Sequence, residues 1–130
     1  MLVISIQSQV VTGHVGNSAA VYPMQAEGVT VAAVPTTLLS NHPRYPTTRG
    51  RVLDADLVAD LLLGVEERGL IEQAAVLITG YLGSPTIAAA VADFALMLGS
   101  KTGRTRSRPA TAAPRRPGHR SRSLETRFRH

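Results

Sequence analysis

The sequence predicts an α/β domain on a mainly parallel sheet, and one that is only part of a larger fold. Three observations carry that reading: apolar runs of strand length, intervening stretches with helical spacing, and glycine or proline punctuation between them. Residues 2–6, 29–34 and 74–79 read as strands, alternating with helical stretches at 19–26, after Asp54 and at 86–98. Three strands are few for a sheet covered on both faces, hence the expectation of a partial fold.

Leu2-Val3-Ile4-Ser5-Ile6 is a short run with β-branched residues, the signature of a buried strand. Thr12 to Ser18 breaks it with Gly13, Gly16 and helix-capping residues. Residues 19–26 follow with helical spacing, Ala20, Tyr22 and Met24 being the expected core contacts and Pro23 the site of a kink or early turn. The second strand is expected to end at Pro35. Residues 35–53 hold Pro35, Pro43, Pro46, Asn41 and Gly50, which predict a long loop or flap. Asp54 or Asp56 can cap the next helix, with Leu57, Leu61, Leu62 and Val65 on its buried face and Gly69 closing it. After the third strand comes the turn Gly80-Tyr81-Leu82-Gly83-Ser84-Pro85. The last helix, 86–98, is expected to bury Val91, Phe94, Ala95 and Leu98.

At 130 residues the chain accommodates one modest domain. It contains no cysteine, which excludes disulfides, thiolate nucleophiles and cysteine-held metal clusters. The opening residues lack a basic signal-peptide start, and no uncharged apolar stretch approaches the roughly 20 residues of a membrane helix. A soluble, cytoplasmic protein is the expectation. The net charge of +5 divides unevenly. Residues 1–100 carry four arginines against eight acids, whereas residues 101–130 carry ten bases against Glu125 alone. From Lys101 onward, Gly, Pro, Ser, Thr and Arg dominate, a composition that buries too little surface to offset its ordering entropy. The division predicted is therefore residues 1–99 as a partial α/β domain and residues 100–130 as a disordered, Arg-rich tail. Such a tail can neutralise phosphates of a nucleic acid. Having no aromatic interleaving except Phe128, it is better read as a frameshift-derived extension. Bases encoding Arg116-Pro117-Gly118-His119-Arg120 can read Asp-Pro-Val-Ile-Gly in another frame.

Gly13-x-x-Gly16-Asn17-Ser18 follows a strand and opens a helix, where backbone N–H groups can meet an anion or a polar ligand. Two glycines alone equally describe an ordinary strand-to-helix turn. Crevices in open α/β sheets lie beyond the carboxyl ends of strands, which is where Ser8 and Tyr81 are expected. His14 and His42 can exchange protons near neutral pH, but neither has partners at metal-ligand spacing. Gly99-Ser100-Lys101-Thr102 ends like a phosphate loop yet lacks the preceding glycine and strand.

Several longer motifs in order resemble the opening of pyridoxal kinases. They are residues 4–11, Gly13-His14-Val15-Gly16-Asn17-Ser18-Ala19-Ala20, Pro23-Met24-Gln25, Ser40-Asn41-His42 with Tyr45, and Thr79-Gly80-Tyr81-Leu82-Gly83-Ser84. The resemblance implies a partial ribokinase-like fold, a pyridoxal-type ligand, and either a homodimer or pairing with an intact homologue. It implies transfer of the ATP γ-phosphate, with Mg2+, to the hydroxymethyl group of pyridoxal, pyridoxine or pyridoxamine in vitamin B6 salvage. By the family pattern Ser8 would hydrogen-bond the pyridine ring, Val15 and Tyr81 would line the substrate pocket, and His42 would sit in the flap beside it. Pro43 stands where the family often has Thr, which removes a hydroxyl and an N–H donor. Leu39 replaces a common Phe. The family's aspartate base and its ATP and metal contacts have no counterpart in this sequence, so a truncated chain, inactive alone, is expected. The rival expectations are a non-catalytic fragment that binds vitamin B6 or dimerises, and a nucleic-acid-binding tail.

Overall fold

The computed structural model describes residues 1–102. A four-stranded sheet in the order β3-β2-β1-β4 forms its frame. β1 (Leu2–Val10) lies between β2 (Thr30–Leu39) and β4 (Ala74–Thr79), parallel to both, and β3 (Gly50–Val52) adds antiparallel to the far end of β2. Four helices accompany the sheet: α1 (Asn17–Ala26), α2 (Ala55–Glu67), the short α3 (Leu70–Gln73) and α4 (Pro85–Thr102). The fold class is the expected one, an open and mainly parallel α/β sheet.

The alternation of β1 decides which face meets which helix. Ile4 and Ile6 point to a core shared with Val58 and Leu62 of α2, Ile71 of α3, and Ile87, Val91 and Phe94 of α4. Each such side chain contributes about 1.5–3 kcal/mol when fully buried. The opposite face of β1 meets α1 through Ser5, whose hydroxyl donates to Asn17 Oδ1 at 2.7 Å. Asn17 Nδ2 in turn donates to the Val34 carbonyl at 3.1 Å. A buried amide therefore stitches α1 to both central strands, and each polar group it brings inside has a partner.

Several local expectations give way to tertiary context. β1 continues past Ile6 to Val10, so Ser8 lies inside the strand rather than beyond it. β2 runs through Pro35 to Leu39. β3 begins to pair only at Thr37, so the outer side of β2 at Pro35 has no strand waiting for an N–H. The loop predicted over 35–53 is thereby shortened to residues 40–49, and it contains a fourth strand's worth of pairing at its end. α1 passes through Pro23 without stopping, and Tyr22 on it is exposed rather than a core contact. The buried face of α2 is Val58 and Leu62, while Leu57 and Leu61 face outward. Asp54 is the residue before α2, although its side chain makes no capping bond. α4 buries Ile87 with Val91 and Phe94, leaves Ala95 and Leu98 half-buried, and continues past residue 99 to Thr102.

Residues 100–102 are thus helical. The rest of the expected Arg-rich tail, with its nucleic-acid and frameshift readings, lies outside the described residues. No helix among the described residues is long and apolar enough to cross a membrane.

Candidate functional site

The carboxyl ends of β1, β2 and β4 converge on one cavity of about 490 Å³. That volume falls in the range of small-molecule sites. The end of β1 contributes Gln7, Ser8 and Val10. Val15 and Gly16 come from the turn that opens α1, Leu39 from the end of β2, His42 and Pro43 from the loop 40–49, and Tyr81 from the turn after β4. The expected site residues Ser8, Val15, His42, Pro43 and Tyr81 all stand in this wall. His14, beside them in sequence, is exposed and not part of it.

The approach of the α1 turn to β1 is close. Gly16 has φ +53°, and a Cβ there would fall onto the Ser8 backbone and within 2.6 Å of Ser8 Oγ. Only glycine fits such a position. The turn is also clamped further along, where the Ser18 hydroxyl both donates to the Val10 carbonyl at 2.9 Å and accepts from the Val10 amide at 3.0 Å. Val15 and Gly16 are therefore held against the strand end by backbone geometry. Ser8 Oγ has no hydrogen-bond partner among the described residues, although the hydroxyl sits in the cavity wall.

Ser8 also sits opposite an irregularity. Gln7 pairs with Pro35 and Gln9 with Leu38, so β2 spends two residues, Thr36 and Thr37, where β1 spends Ser8 alone. Bulges of this kind re-aim side chains and recur beside binding sites. On the bulged strand the Thr36 hydroxyl donates to the Tyr81 carbonyl at 2.7 Å. Thr37 Oγ1 is buried with no partner among the described residues.

The loop 40–49 is organised by Asn41. Its amide nitrogen donates to the carbonyls of His42 and Thr47 at 3.1 and 2.9 Å, and to Thr48 Oγ1 at 3.2 Å. Ser40 closes the loop base, its amide donating to the Arg49 carbonyl at 2.7 Å and its Oγ accepting from the Arg49 amide at 2.9 Å. His42 Nδ1 accepts from the Arg44 amide at 3.0 Å, which places the proton of the neutral ring on Nε2. The ring then offers an N–H donor. His42 apart, the cavity wall formed by the described residues has no titratable side chain except Tyr81 and no lysine, arginine or carboxylate. Such a wall suits an uncharged or weakly charged small molecule with polar substituents, and among the described residues it offers no lysine or arginine to a phosphate.

Gln7, Val10 and Thr36 were not singled out from sequence. The available signal was polarity inside strands: Gln7 and the Thr36-Thr37 pair interrupt otherwise apolar runs where a solvated face is not expected.

No protein-family model matches the chain. Among curated proteins it is 42% identical to pyridoxal kinase PdxY of Granulibacter bethesdensis over 93 residues, which is 72% of this chain and 32% of that protein. It is 46% identical to pyridoxal kinase PdxY of Rubrobacter xylanophilus over 85 residues, 65% of this chain and 29% of that one. Among solved structures, pyridoxal kinase from Leishmania donovani in complex with ADP and pyridoxine superposes with a TM-score of 0.73 at 33% identity, covering 78% of this chain and 35% of the other. The chain thus spans about a third of the length of the curated relatives it matches. The α/β part of this chain is homologous, in sequence and in fold, to the N-terminal part of the pyridoxal kinases.

Proposed function

We propose that this chain carries the vitamin B6-recognising side of a pyridoxal kinase. The cavity takes the pyridine ring of pyridoxal, pyridoxine or pyridoxamine, and the whole enzyme transfers the γ-phosphate of ATP to the ring's hydroxymethyl group. One observation supports this above the others: Ser8, Val15, His42, Pro43 and Tyr81, drawn from separate segments, line a single cavity at the carboxyl ends of parallel strands. In this reading Ser8 Oγ hydrogen-bonds the ring's polar edge, Val15 and Tyr81 pack on its faces, and His42 closes over it from the loop. Pro43 narrows the cavity without offering a hydrogen bond, and Leu39 adds apolar contact. The reading places the protein in cytoplasmic vitamin B6 salvage.

The described residues do not fit ATP or Mg2+. They contain no cluster of three or more His, Asp or Glu able to hold a metal ion, and the cavity wall has no cationic side chain for a phosphate. Phosphoryl transfer depends on positioning together with charge stabilisation by metal and cationic groups. This chain alone is accordingly proposed to bind the vitamer without turning it over.

The test is a titration of the purified 130-residue chain with pyridoxine, with ATP-dependent pyridoxal phosphate formation assayed in parallel against an intact kinase. Saturable binding is expected, weakened roughly 3- to 10-fold in Ser8→Ala by loss of one hydrogen bond. Turnover is expected to be absent. Failure to bind would overturn the recognition reading, and turnover above background would overturn the non-catalytic one.

A further inference from the structure

Tyr81 lines the cavity while remaining 64% exposed, so packing from the body of the protein does not hold its ring. Its placement must come from its backbone. The turn bearing it is tied to the sheet at few points. The Gly80 amide donates to the Ile6 carbonyl at 3.1 Å, which continues the β1–β4 ladder by one residue. Past it, the Thr36 hydroxyl donates to the Tyr81 carbonyl at 2.7 Å, across a sequence separation of 45 residues. Thr36 is fully buried and lies in the β2 bulge opposite Ser8. Its own carbonyl accepts from the Leu53 amide at 2.9 Å, so the strand end to which it belongs is anchored on the far side as well. Gly83, at the end of the turn, comes close enough that a Cβ would lie 3.0 Å from Thr37 Cγ2.

From this geometry we propose that Thr36 is a positioning residue for the vitamer cavity. It acts through the Tyr81 carbonyl to hold the turn 80–84, and with it the Tyr81 ring, over the site. The bulge that lies opposite Ser8 of β1 is then the same feature that fixes the other wall from β2. The proposal rests on the recognition reading above for its ligand, but its structural half concerns the turn alone. Valine is nearly isosteric with threonine and lacks the hydroxyl, whereas serine keeps the hydroxyl and loses only a methyl group.

The experiment uses the full chain with Thr36→Val, Thr36→Ser, Tyr81→Ala and the Thr36→Val/Tyr81→Ala pair. Amide hydrogen exchange is measured without ligand, and pyridoxine binding by titration. Thr36→Val is expected to accelerate exchange at residues 80–82 selectively and to weaken pyridoxine binding roughly 3- to 10-fold. Thr36→Ser is expected to retain wild-type behaviour in both. In the Tyr81→Ala background, Thr36→Val should add no further loss of binding, because the two residues act as one unit. Unchanged exchange at 80–82, equal effects of valine and serine, or acceleration spread through β1 and β2 would each overturn the proposal. The last outcome would assign Thr36 to the core. If the wild-type chain fails to bind pyridoxine, the recognition reading falls, and exchange at 80–82 still decides whether Thr36 holds the turn.

Discussion

Gly16 and Gly64 differ in what surrounds them, and the contrast makes the close approach at the cavity testable at the scale of one residue. A Cβ at Gly16 meets the Ser8 backbone and Ser8 Oγ from a left-handed conformation, whereas one at Gly64, inside α2, meets nothing within 4 Å. Gly16→Ala should therefore lower stability by about 1–3 kcal/mol, the range for strain at a special backbone position. Gly64→Ala should raise it by about 0.5–1 kcal/mol through helix propensity. Urea midpoints of the two variants measure both. Shifts of the same sign would contradict the geometry at the cavity wall. Asn17 is the other residue at which a small side chain carries much of the local order. It was legible in the sequence only as a helix-capping type, yet it is buried and bonded to Ser5 and Val34 from inside α1.

At the scale of elements, α4 is joined to α2 and α3 by apolar packing and, near its end, by two ion pairs of Lys101. Lys101 Nζ lies 3.4 Å from Glu66 Oε1 on α2 and 3.5 Å from Glu72 Oε1 on α3. The hydrogen bond to Glu66, reinforced by the charges of Glu66 and Glu72, raises the Lys101 pKa above its ordinary 10.5. A lysine whose folded pKa exceeds its unfolded one contributes stability that is complete below the unfolded value and lost as pH rises through the folded value. The contact is solvated, so the effect is small and salt-sensitive. Wild type should have a slightly higher urea midpoint than Lys101→Gln at neutral pH, and the gap should close above about pH 10.5 and in about 1 M salt. A gap that widened with pH would mean the contact does not form. Pro23 and Pro35 mark a limit at the same scale. Pro23 reads as a kink or early turn and Pro35 as a strand end, but the helix and the strand containing them continue: α1 forgoes the one bond Pro23 cannot donate, and β2 at Pro35 has no β3 partner to supply.

At the scale of the whole molecule, β4 is the exposed flank of the sheet. Among the described residues nothing pairs with its outer edge, and Val76, which registers with Val3, is 44% exposed. α1 packs on β1 and β2, and among the described residues that side of β4 is left uncovered. An open parallel edge with exposed β-branched side chains is an association hazard. Static light scattering of the purified chain should rise with concentration, and Val76→Lys should suppress the rise while leaving the far-UV circular dichroism unchanged. Scattering that Val76→Lys does not change would place the sticky surface elsewhere, with Leu96 on α4 the next exposed candidate.

The sequence by itself determined the α/β class, the β4 boundaries and the site of the last turn, while Ser8, Val15, His42, Pro43 and Tyr81 came from the resemblance its motifs carry. These depend on local signals: apolar runs of strand length, and motifs whose side chains keep their order and spacing along the chain. The length of β2, the existence of β3, the burial of Asn17 and the role of Thr36 were decided only by tertiary structure. Thr36 shows the reason. It falls in the loop expected over 35–53, and its proposed function arises because β2 continues past Pro35 and the Thr36 hydroxyl, beside the bulge opposite Ser8, donates to the carbonyl of Tyr81, 45 residues away. Periodicity reports which face of its own element a residue occupies. A hydrogen bond between distant segments depends on register and bulge position, which are set when strands pair.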